Sequence, residues 1–248
     1  YISYLEEVGE EKAQIRYSST LEEINEAHQA LRANLKERCL ALLEAGKMPC
    51  VLGGEHSTPL GLLQALNEHH GSFGILQIDA HFDLREAYEG FNYSHASIMF
   101  NVLEEMPGIE KLVQVGVRDY CDEEIDYIRA SKGRVVTYFD QQIRERMYEG
   151  ETWKKISDEI VEGLPQKVYL SFDIDGLDPK LCPNTGTPVA GGFEVSQVFY
   201  LFKKVVESGR QIVGFDLNEV GVGNNDWDAN VGARVLYKLC NMFVANNL

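Results

Sequence analysis

Short apolar runs alternate with longer amphipathic stretches along most of the chain. The runs hold four to six residues, which is short for a helix and typical of strands buried on both faces of a parallel sheet. The predicted strands are Pro49–Leu52, Phe73–Ile78, Leu112–Val117, Val135–Tyr138, Val168–Phe172 and Ile212–Phe215.

Stretches with helical periodicity separate these runs. The predicted helices are Pro59–Glu68, Ala96–Glu105, Glu123–Ser131, Trp153–Gly163, Ser196–Glu207 and Asn230–Ala245. Regular alternation of strand and helix predicts an α/β fold with three layers, α/β/α, in which a central parallel β-sheet lies between two layers of helices. Ligands of such sheets bind in loops beyond the carboxyl ends of the strands, so we expect the functional site at that edge.

A longer helix is predicted ahead of the first strand. Thr20 followed by Glu23 is a capping-box pattern, which predicts that the helix begins at Leu21. Gly46 is placed to end it, because glycine adopts the left-handed conformation that commonly follows the last helical turn.

Length and composition favour a single soluble domain, residues 1–248. Of the 248 residues 44% are hydrophobic, enough for one large core. No apolar run reaches the roughly 18 residues of a membrane span, and the first twelve residues lack the pattern of a secretory signal. The five cysteines include no CxxC pair and indicate neither a disulfide framework nor a zinc ribbon, so we expect a reducing, cytoplasmic setting.

The charge of the chain is strongly acidic. A formal net charge of −16 argues against a nucleic-acid partner, because binding to phosphate backbones depends on clustered Lys and Arg. A cationic or metal-dependent substrate fits this charge better, although surface acidity also serves solubility alone.

Polar motifs end or interrupt the apolar runs at six places. They are GGEHS (Gly53–Ser57), DAHFD (Asp79–Asp83), SHAS (Ser94–Ser97), FDIDGLDP (Phe172–Pro179), TGTPVAGG (Thr185–Gly192) and DLNEV (Asp216–Val220). GGEHS alone is a weak signal, FDIDGLDP alone could be an Asp-Gly turn with a helix cap, and TGTPVAGG is expected to buttress the cleft as a constrained loop. Their joint occurrence favours one functional site, because separate explanations would have to hold at every strand end.

Two of these motifs place acidic residues at alternate positions. Asp79, His81 and Asp83 are spaced by two, and so are Asp173 and Asp175, so each set points to one face if the strand geometry continues. Carboxylates packed so closely would repel one another unless positive charge lay between them. Metal ions supply that charge, and the mixture of carboxylate and imidazole suits Mn(II) or Fe(II) while leaving Ni(II), Co(II) and Zn(II) open. Four Asp and two His are about the number of ligands that two ions require.

These motifs resemble the ureohydrolase family, which contains arginase, agmatinase, guanidinobutyrase, proclavaminate amidinohydrolase and formiminoglutamase. Five of them occur in the family's order over about residues 51–220. The resemblance implies an arginase/deacetylase-like fold, two Mn(II) ions per chain, and hydrolysis of the guanidino group of a small cationic substrate with release of urea. It also implies self-association, as a trimer or a hexamer.

The resemblance further implies the role of each site residue. One Mn(II) would be bound by His56, Asp79, Asp83 and Asp173, and the other by Asp79, His81, Asp173 and Asp175, with Asp79 and Asp173 shared. The catalytic residues would be Asp83, which orients the attacking hydroxide, Glu219, which holds the guanidinium, and His95, which transfers a proton. Physical chemistry supports these roles, because two divalent ions acidify water and an imidazole titrates near neutrality.

The segment Leu84–Ser94 differs from the loop by which arginases bind an amino-acid carboxylate. Arg85 is expected to form a surface ion pair, with a contact to a substrate carboxylate as the alternative. Glu86 and Glu89 could instead meet the second amine of agmatine. We therefore predict agmatinase-like specificity, with arginase, guanidinobutyrase and formiminoglutamase as alternatives.

Two readings from other classes stay open: a non-catalytic metal-binding relative, and a deacetylase with one zinc ion. The family's first strand and its early substrate loop are not recognisable in Tyr1–Thr20, so we also expect that part of the family domain is missing from this chain.

Overall fold

Six strands form one parallel sheet in the computed structural model, which describes residues 2–247. The strands are β1 (Val51–Leu52), β2 (Phe73–Ile78), β3 (Ile109–Val115), β4 (Val135–Tyr138), β5 (Lys167–Phe172) and β6 (Gln211–Leu217). Their order across the sheet is β1-β6-β5-β2-β3-β4, and all neighbouring pairs run parallel. The predicted parallel sheet is confirmed, with β1 shorter than expected and β3 beginning and ending earlier.

Helices cover both faces of the sheet. They are α1 (Ile2–Val8), α2 (Glu10–Arg16), α3 (Ser18–Glu44), α4 (Leu60–His70), α5 (Ile98–Glu105), α6 (Asp122–Ala130), α7 (Asp140–Tyr148), α8 (Trp153–Glu162), α9 (Val195–Glu207) and α10 (Trp227–Asn247). Neighbouring residues of one strand belong to different hydrophobic clusters: the cluster of Ile75 includes side chains of α3 to α6, and the cluster of Leu76 includes side chains of α7 to α10. The predicted three-layer α/β/α architecture is therefore confirmed.

The start of the long helix differs from the prediction. Helix α3 begins at Ser18, so Thr20 lies inside its first turn, and Tyr17 at the N-cap makes no side-chain capping bond. The capping-box prediction was wrong because α2 ends only at Arg16 and the chain continues into α3 almost without a break. The predicted end is confirmed, since Gly46 has a φ of 68° and its N–H donates to Leu43 O at 2.9 Å.

Helix α7 was missed at the sequence level because its residues are mostly polar and only Asp140 and Ile143 are buried. Within residues 2–247 no helix is long and apolar enough to cross a membrane.

The strand order matters for the site, because β1, β6, β5 and β2 are consecutive neighbours and their carboxyl ends meet at one edge.

Candidate metal centre

The predicted site residues converge at the carboxyl ends of these four neighbouring strands. His56 lies in the turn after β1, Asp79 directly after β2, Asp173 directly after β5 and Glu219 shortly after β6. The first three are at most 3% exposed. Although far apart in sequence, they therefore lie in one buried cluster.

One group of carboxylates surrounds the His56 imidazole. Its Nδ1 atom lies 3.1 Å from Asp79 Oδ2, 3.0 Å from Asp83 Oδ2 and 3.2 Å from Asp173 Oδ2. His56, Asp79 and Asp173 offer ligand atoms close enough together to hold a metal ion. The structure thus brings together the four residues predicted for the first ion.

A second group surrounds His81. Its Nδ1 atom lies 3.1 Å from Asp175 Oδ2 and 3.5 Å from Asp79 Oδ1. Asp79, His81 and Asp175 form the second set that could hold a metal ion. Asp79 belongs to both sets and turns one carboxylate oxygen toward each histidine, which is the arrangement expected of a shared ligand.

The other side of His56 indicates which of its nitrogens is available to a metal. Nε2 lies 2.8 Å from Ser171 Oγ, and the Ser171 hydroxyl donates to Asp216 Oδ1 at 3.2 Å. Because that hydroxyl is already a donor, it accepts the Nε2–H of His56 and leaves Nδ1 as a lone pair. Within the described residues Nδ1 has no hydrogen-bond partner, although three carboxylates face it. Carboxylate oxygens on three sides of Nδ1 require positive charge at that atom, which a proton supplies in the metal-free protein and a metal ion can supply in its place, so these residues fit a metal ion.

The titration of the cluster leads to the same conclusion. Burial, followed by the charge of Asp79, raises the pKa of Asp83 to about 8, and burial with Asp175 and Asp79 raises the pKa of Asp173. Burial alone would lower the pKa of His81, but Asp175 and Asp79 raise it to about 11. Without cations the cluster therefore retains protons that bound metal would displace.

We expect the affinity for Mn(II) to rise with pH. The raised pKa values of His81 and Asp83 mean that the metal-free protein holds their protons near neutrality, and each must leave when a metal binds. Affinity should then increase about tenfold per pH unit for each proton released, until the protons are gone from the free protein. Calorimetric titration with Mn(II) at pH 6.5 and 8.5 checks this. An unchanged dissociation constant and no proton release would contradict it.

Two site residues adopt backbone conformations that side chains other than glycine rarely take. Asp83 has a φ of 57° and Glu219 a φ of 62°. Such strain is tolerated where the surroundings impose it, often at functional positions. For Asp83 the surroundings include two N–H groups of α5, Met99 and Phe100, which donate to the Asp83 carbonyl at 3.0 and 3.2 Å.

Glu219 is hydrogen-bonded to His56 and to the segment Thr185–Gly192, the glycine-rich loop. Its Oε1 accepts the backbone N–H of His56 at 2.9 Å, and its carbonyl accepts from Thr185 Oγ1 at 2.8 Å. Thr187 of the same loop donates to Asp175 Oδ2 at 3.2 Å, so the loop buttresses the site as predicted. Burial raises the pKa of the Glu219 carboxyl.

Sequence reasoning missed several supporting residues. Gln77 Nε2 donates to Asp79 Oδ2 at 2.8 Å, and Gln114 in turn donates to Gln77 Oε1 at 2.8 Å. Gln77 and Ser171 each precede a predicted ligand by two positions, so their place on the same strand face was a usable signal.

Arg118, which follows β3, was missed as well. Its guanidinium donates to four backbone carbonyls, those of Gly116 (3.0 Å), Asp175 (2.6 Å), Leu177 (3.2 Å) and Val189 (2.9 Å). It thereby joins the segment of Asp175 to the glycine-rich loop. No pattern in the sequence pointed to this contact, since all its acceptors are backbone atoms.

An open cleft lies beside the cluster. It is lined by His81, Asp83, Arg85, Tyr88, His95, Ala96, Asp119, Tyr120, Glu124 and Thr187. The ring of His95 stands edge-on to Tyr88 at 5.5 Å between centroids. Burial lowers the pKa of His95 below its usual value, despite the nearby charges of Glu55 and Glu89. A substrate in this cleft would meet His95 and the predicted ligands Asp83 and His81 together.

Arg85 does not form the expected surface ion pair. Its guanidinium lies 5.2 Å from the centroid of the Tyr88 ring in the wall of the cleft. Within residues 2–247 no carboxylate lies at ion-pair distance from it.

Comparison with known proteins identifies the family. The model of the arginase family matches residues 7–241. The N(1)-aminopropylagmatine ureohydrolase of Thermus thermophilus is 37% identical over 212 residues, which cover 86% of this chain and 67% of the relative. The guanidinobutyrase of Pseudomonas aeruginosa is 31% identical, with 80% of this chain and 61% of the relative covered. The structure of proclavaminate amidino hydrolase from Streptomyces clavuligerus superposes with a TM-score of 0.73 at 29% identity, covering 86% and 69% of the two chains.

The chain therefore belongs to the arginase family, whose ureohydrolases are hydrolases that act on carbon–nitrogen bonds of linear amidines. This confirms the predicted family and enzyme class. The chain spans about two thirds of the length of the Thermus relative and less of the Pseudomonas one.

Proposed function

We propose that residues 1–248 act as one catalytic domain that binds two Mn(II) ions and hydrolyses the guanidino group of a small cationic substrate to release urea. The observation that carries this proposal is Asp79, which turns its two oxygens toward His56 and His81 and so belongs to both candidate metal sets. A shared carboxylate is typical of two-metal hydrolytic sites. The remaining ligands in the proposal are Asp83, Asp173 and Asp175.

The chain's own groups would then position the reacting molecules. When bound, the two ions would supply Lewis acidity that makes a nucleophile available at neutral pH. Asp83, at the boundary between the cluster and the cleft, would accept a hydrogen bond from the attacking water and orient it. Glu219 would pair with the guanidinium and align its carbon, and its partial burial would strengthen that pair.

His95 would transfer the proton that the leaving amine requires. It lines the same cleft as the predicted ligands His81 and Asp83, and burial keeps its pKa below the usual value, so the neutral ring is the main form at neutral pH. A neutral imidazole can pass a proton from the attacking water to the leaving nitrogen.

The test is reconstitution with metal and measurement of urea. The metal-free protein, loaded with Mn(II), should release urea from agmatine or a related guanidino compound and should contain two ions per chain by elemental analysis. One tightly bound zinc ion would instead favour the deacetylase reading. Full metal loading without urea from any guanidino compound would favour the non-catalytic relative.

We propose agmatinase-like specificity, for agmatine or its N(1)-aminopropyl derivative. The acidic side chains Asp119 and Glu124 in the cleft wall support this, because a second cationic amine would be attracted to them. The name of the Thermus relative points to the same class of substrate. Arg85 in the same wall favours a second candidate, guanidinobutyrate, whose carboxylate it could bind.

Replacing Arg85 by alanine should separate these substrates. The variant loses a positive charge from the cleft wall, so the ratio of kcat/KM for agmatine over guanidinobutyrate should rise by about tenfold, as for one charge-assisted contact. Arg85→Lys keeps the charge and serves as the control, with a smaller change in the ratio. An unchanged ratio in Arg85→Ala would show that Arg85 does not face the substrate.

Self-association as a trimer or a hexamer and a cytoplasmic location belong to the same proposal. Light scattering of the purified chain measures the oligomeric number, and a purely monomeric, fully active protein would contradict the first of these.

A further inference from the structure

The segment that carries His95 forms a small hairpin above the cleft. Tyr88 and Phe91 exchange two backbone hydrogen bonds, with Tyr88 N–H donating at 3.2 Å and Phe91 N–H at 2.9 Å. The two residues between them, Glu89 and Gly90, have φ values of 55° and 84°. Positive φ at both central positions is the pattern of the tight turn that suits a two-residue hairpin loop. The hairpin places the Tyr88 ring against His95.

Asn25, on helix α3, contacts the backbone of this hairpin twice. Its Nδ2 donates to Gly90 O at 3.2 Å, and its Oδ1 accepts the N–H of Asn92 at 2.9 Å. A Cβ on Gly90 would come within 2.9 Å of Leu21 Cδ1, so the turn also packs directly on α3. The half-buried Asn25 side chain therefore fixes the hairpin to a helix that contributes nothing else to the described site.

Asn101, on helix α5, holds the following residues. Its Nδ2 donates to Asn92 O at 2.9 Å and to Ser97 O at 2.9 Å. Both backbone groups of Asn92 are thus bound by asparagine side chains from different helices. His95 lies between Asn92 and Ser97, so the chain is held on both sides of it.

We propose that Asn25 and Asn101 are positioning residues that fix the orientation of His95 in the cleft. Asn25 and Asn101 lie on regular helices, whereas the segment between Leu84 and Ser94 has little regular structure of its own. Side-chain amides that bind loop backbone groups replace the hydrogen bonds that a helix or strand would provide. This inference rests on the proposed role of His95, and it adds that α3, which supplies no residue to the candidate metal sets or to the lining of the cleft, contributes to catalysis through His95.

The first test is a double-mutant cycle between Asn25→Ala and His95→Ala in the Mn-loaded chain. Asn25→Ala alone should lower kcat/KM about tenfold, because a catalytic group displaced by a fraction of an ångström loses alignment. The metal content should stay unchanged. In the His95→Ala background Asn25→Ala should not lower kcat/KM further, because the imidazole that Asn25 orients is absent. Full additivity, or no loss in the single variant, would overturn the proposal.

A matched control uses the same residue type on the same helix. Asn34 is exposed on α3, and Asn34→Ala should leave kcat/KM unchanged. Asn25→Asp keeps the acceptor for Asn92 N–H, but a carboxylate oxygen replaces the donor to Gly90 O and repels that carbonyl, so this variant should also lose activity. Equal losses in Asn25→Ala and Asn34→Ala would mean a general effect of altering α3 and would overturn the proposal.

A second readout does not depend on activity. Amide hydrogen exchange of the metal-free chain should be at least about threefold faster in the segment from Ala87 to Ser97 for Asn25→Ala than for wild type, the effect expected for loss of one or two modest hydrogen bonds. Unchanged exchange in this segment would show that Asn25 does not hold the hairpin and would overturn the proposal even if activity fell. If wild type released no urea while exchange was still faster in Asn25→Ala, the proposed function would fail, but the finding that Asn25 holds the hairpin would stand.

Discussion

Replacing Asp79 by asparagine should reduce urea release by about a thousandfold, the effect of losing roughly 4 kcal/mol of metal-dependent transition-state stabilisation. Asp79 is the one residue that belongs to both candidate metal sets among the described residues, so its loss removes a ligand from each. The amide keeps the size of the side chain but lacks the negative charge that compensates the cations. Elemental analysis should show that at least one of the two ions is lost.

The expected loss in Asp79→Asn can be separated from a general effect of the substitution. Asp126 lies on α6, its side chain is 73% exposed, and among residues 2–247 it pairs only with Arg129. Asp126→Asn should therefore keep full activity and both ions, because exposed ion pairs contribute little. If Asp79→Asn retained two ions and near wild-type turnover, the proposed two-metal site would be wrong.

Replacing His95 by alanine should lower kcat by about a hundredfold or more, the usual contribution of a positioned proton-transfer group. In contrast to Asp79→Asn, the variant should keep both ions, because His95 lies outside both candidate metal sets. The pH dependence of kcat should lose the limb that titrates below the usual pKa of histidine, since burial lowers the pKa of His95. Steady-state kinetics across pH, together with metal analysis, measure both effects.

His69, at the end of α4, provides the matched control for this substitution. His69→Ala should leave kcat and its pH profile unchanged. A His95→Ala protein that loses metal as readily as activity would show that His95 supports the cluster and does not transfer a proton. Retention of wild-type kcat would remove His95 from the mechanism altogether.

The residues that support the site differ in how far the sequence could have predicted their contacts. Ser171 and Gln77 stand two positions before Asp173 and Asp79, on the same strand face, and strand geometry alone could have indicated them. The contacts of Arg118 and Asn25 could not be foreseen in this way. Both use backbone carbonyls or N–H groups as partners, and every residue of the chain offers a carbonyl, so the sequence holds no signal for the pairing.

The sequence by itself determined the layered fold and the kind of chemistry. Buried strands of a parallel sheet are mostly apolar on both faces, so the run Phe73–Ile78 was recognisable as a strand from its own residues. The DAHFD motif directly after it was equally informative, because three ionisable groups at the end of a buried strand require compensation. Both signals are local: they depend on residues that are neighbours along the chain.

Only the tertiary structure decided how the groups meet. His56 and Ser171 are 115 positions apart, yet their side chains lie within 2.8 Å, because β1, β6 and β5 are neighbours in the sheet. The sharing of Asp79 between two histidines and the position of Arg85 in the cleft likewise follow from packing between distant segments. Local patterns specify which strands and charges exist, whereas strand order and loop packing, which arise from long-range contacts, specify the distances on which chemistry depends.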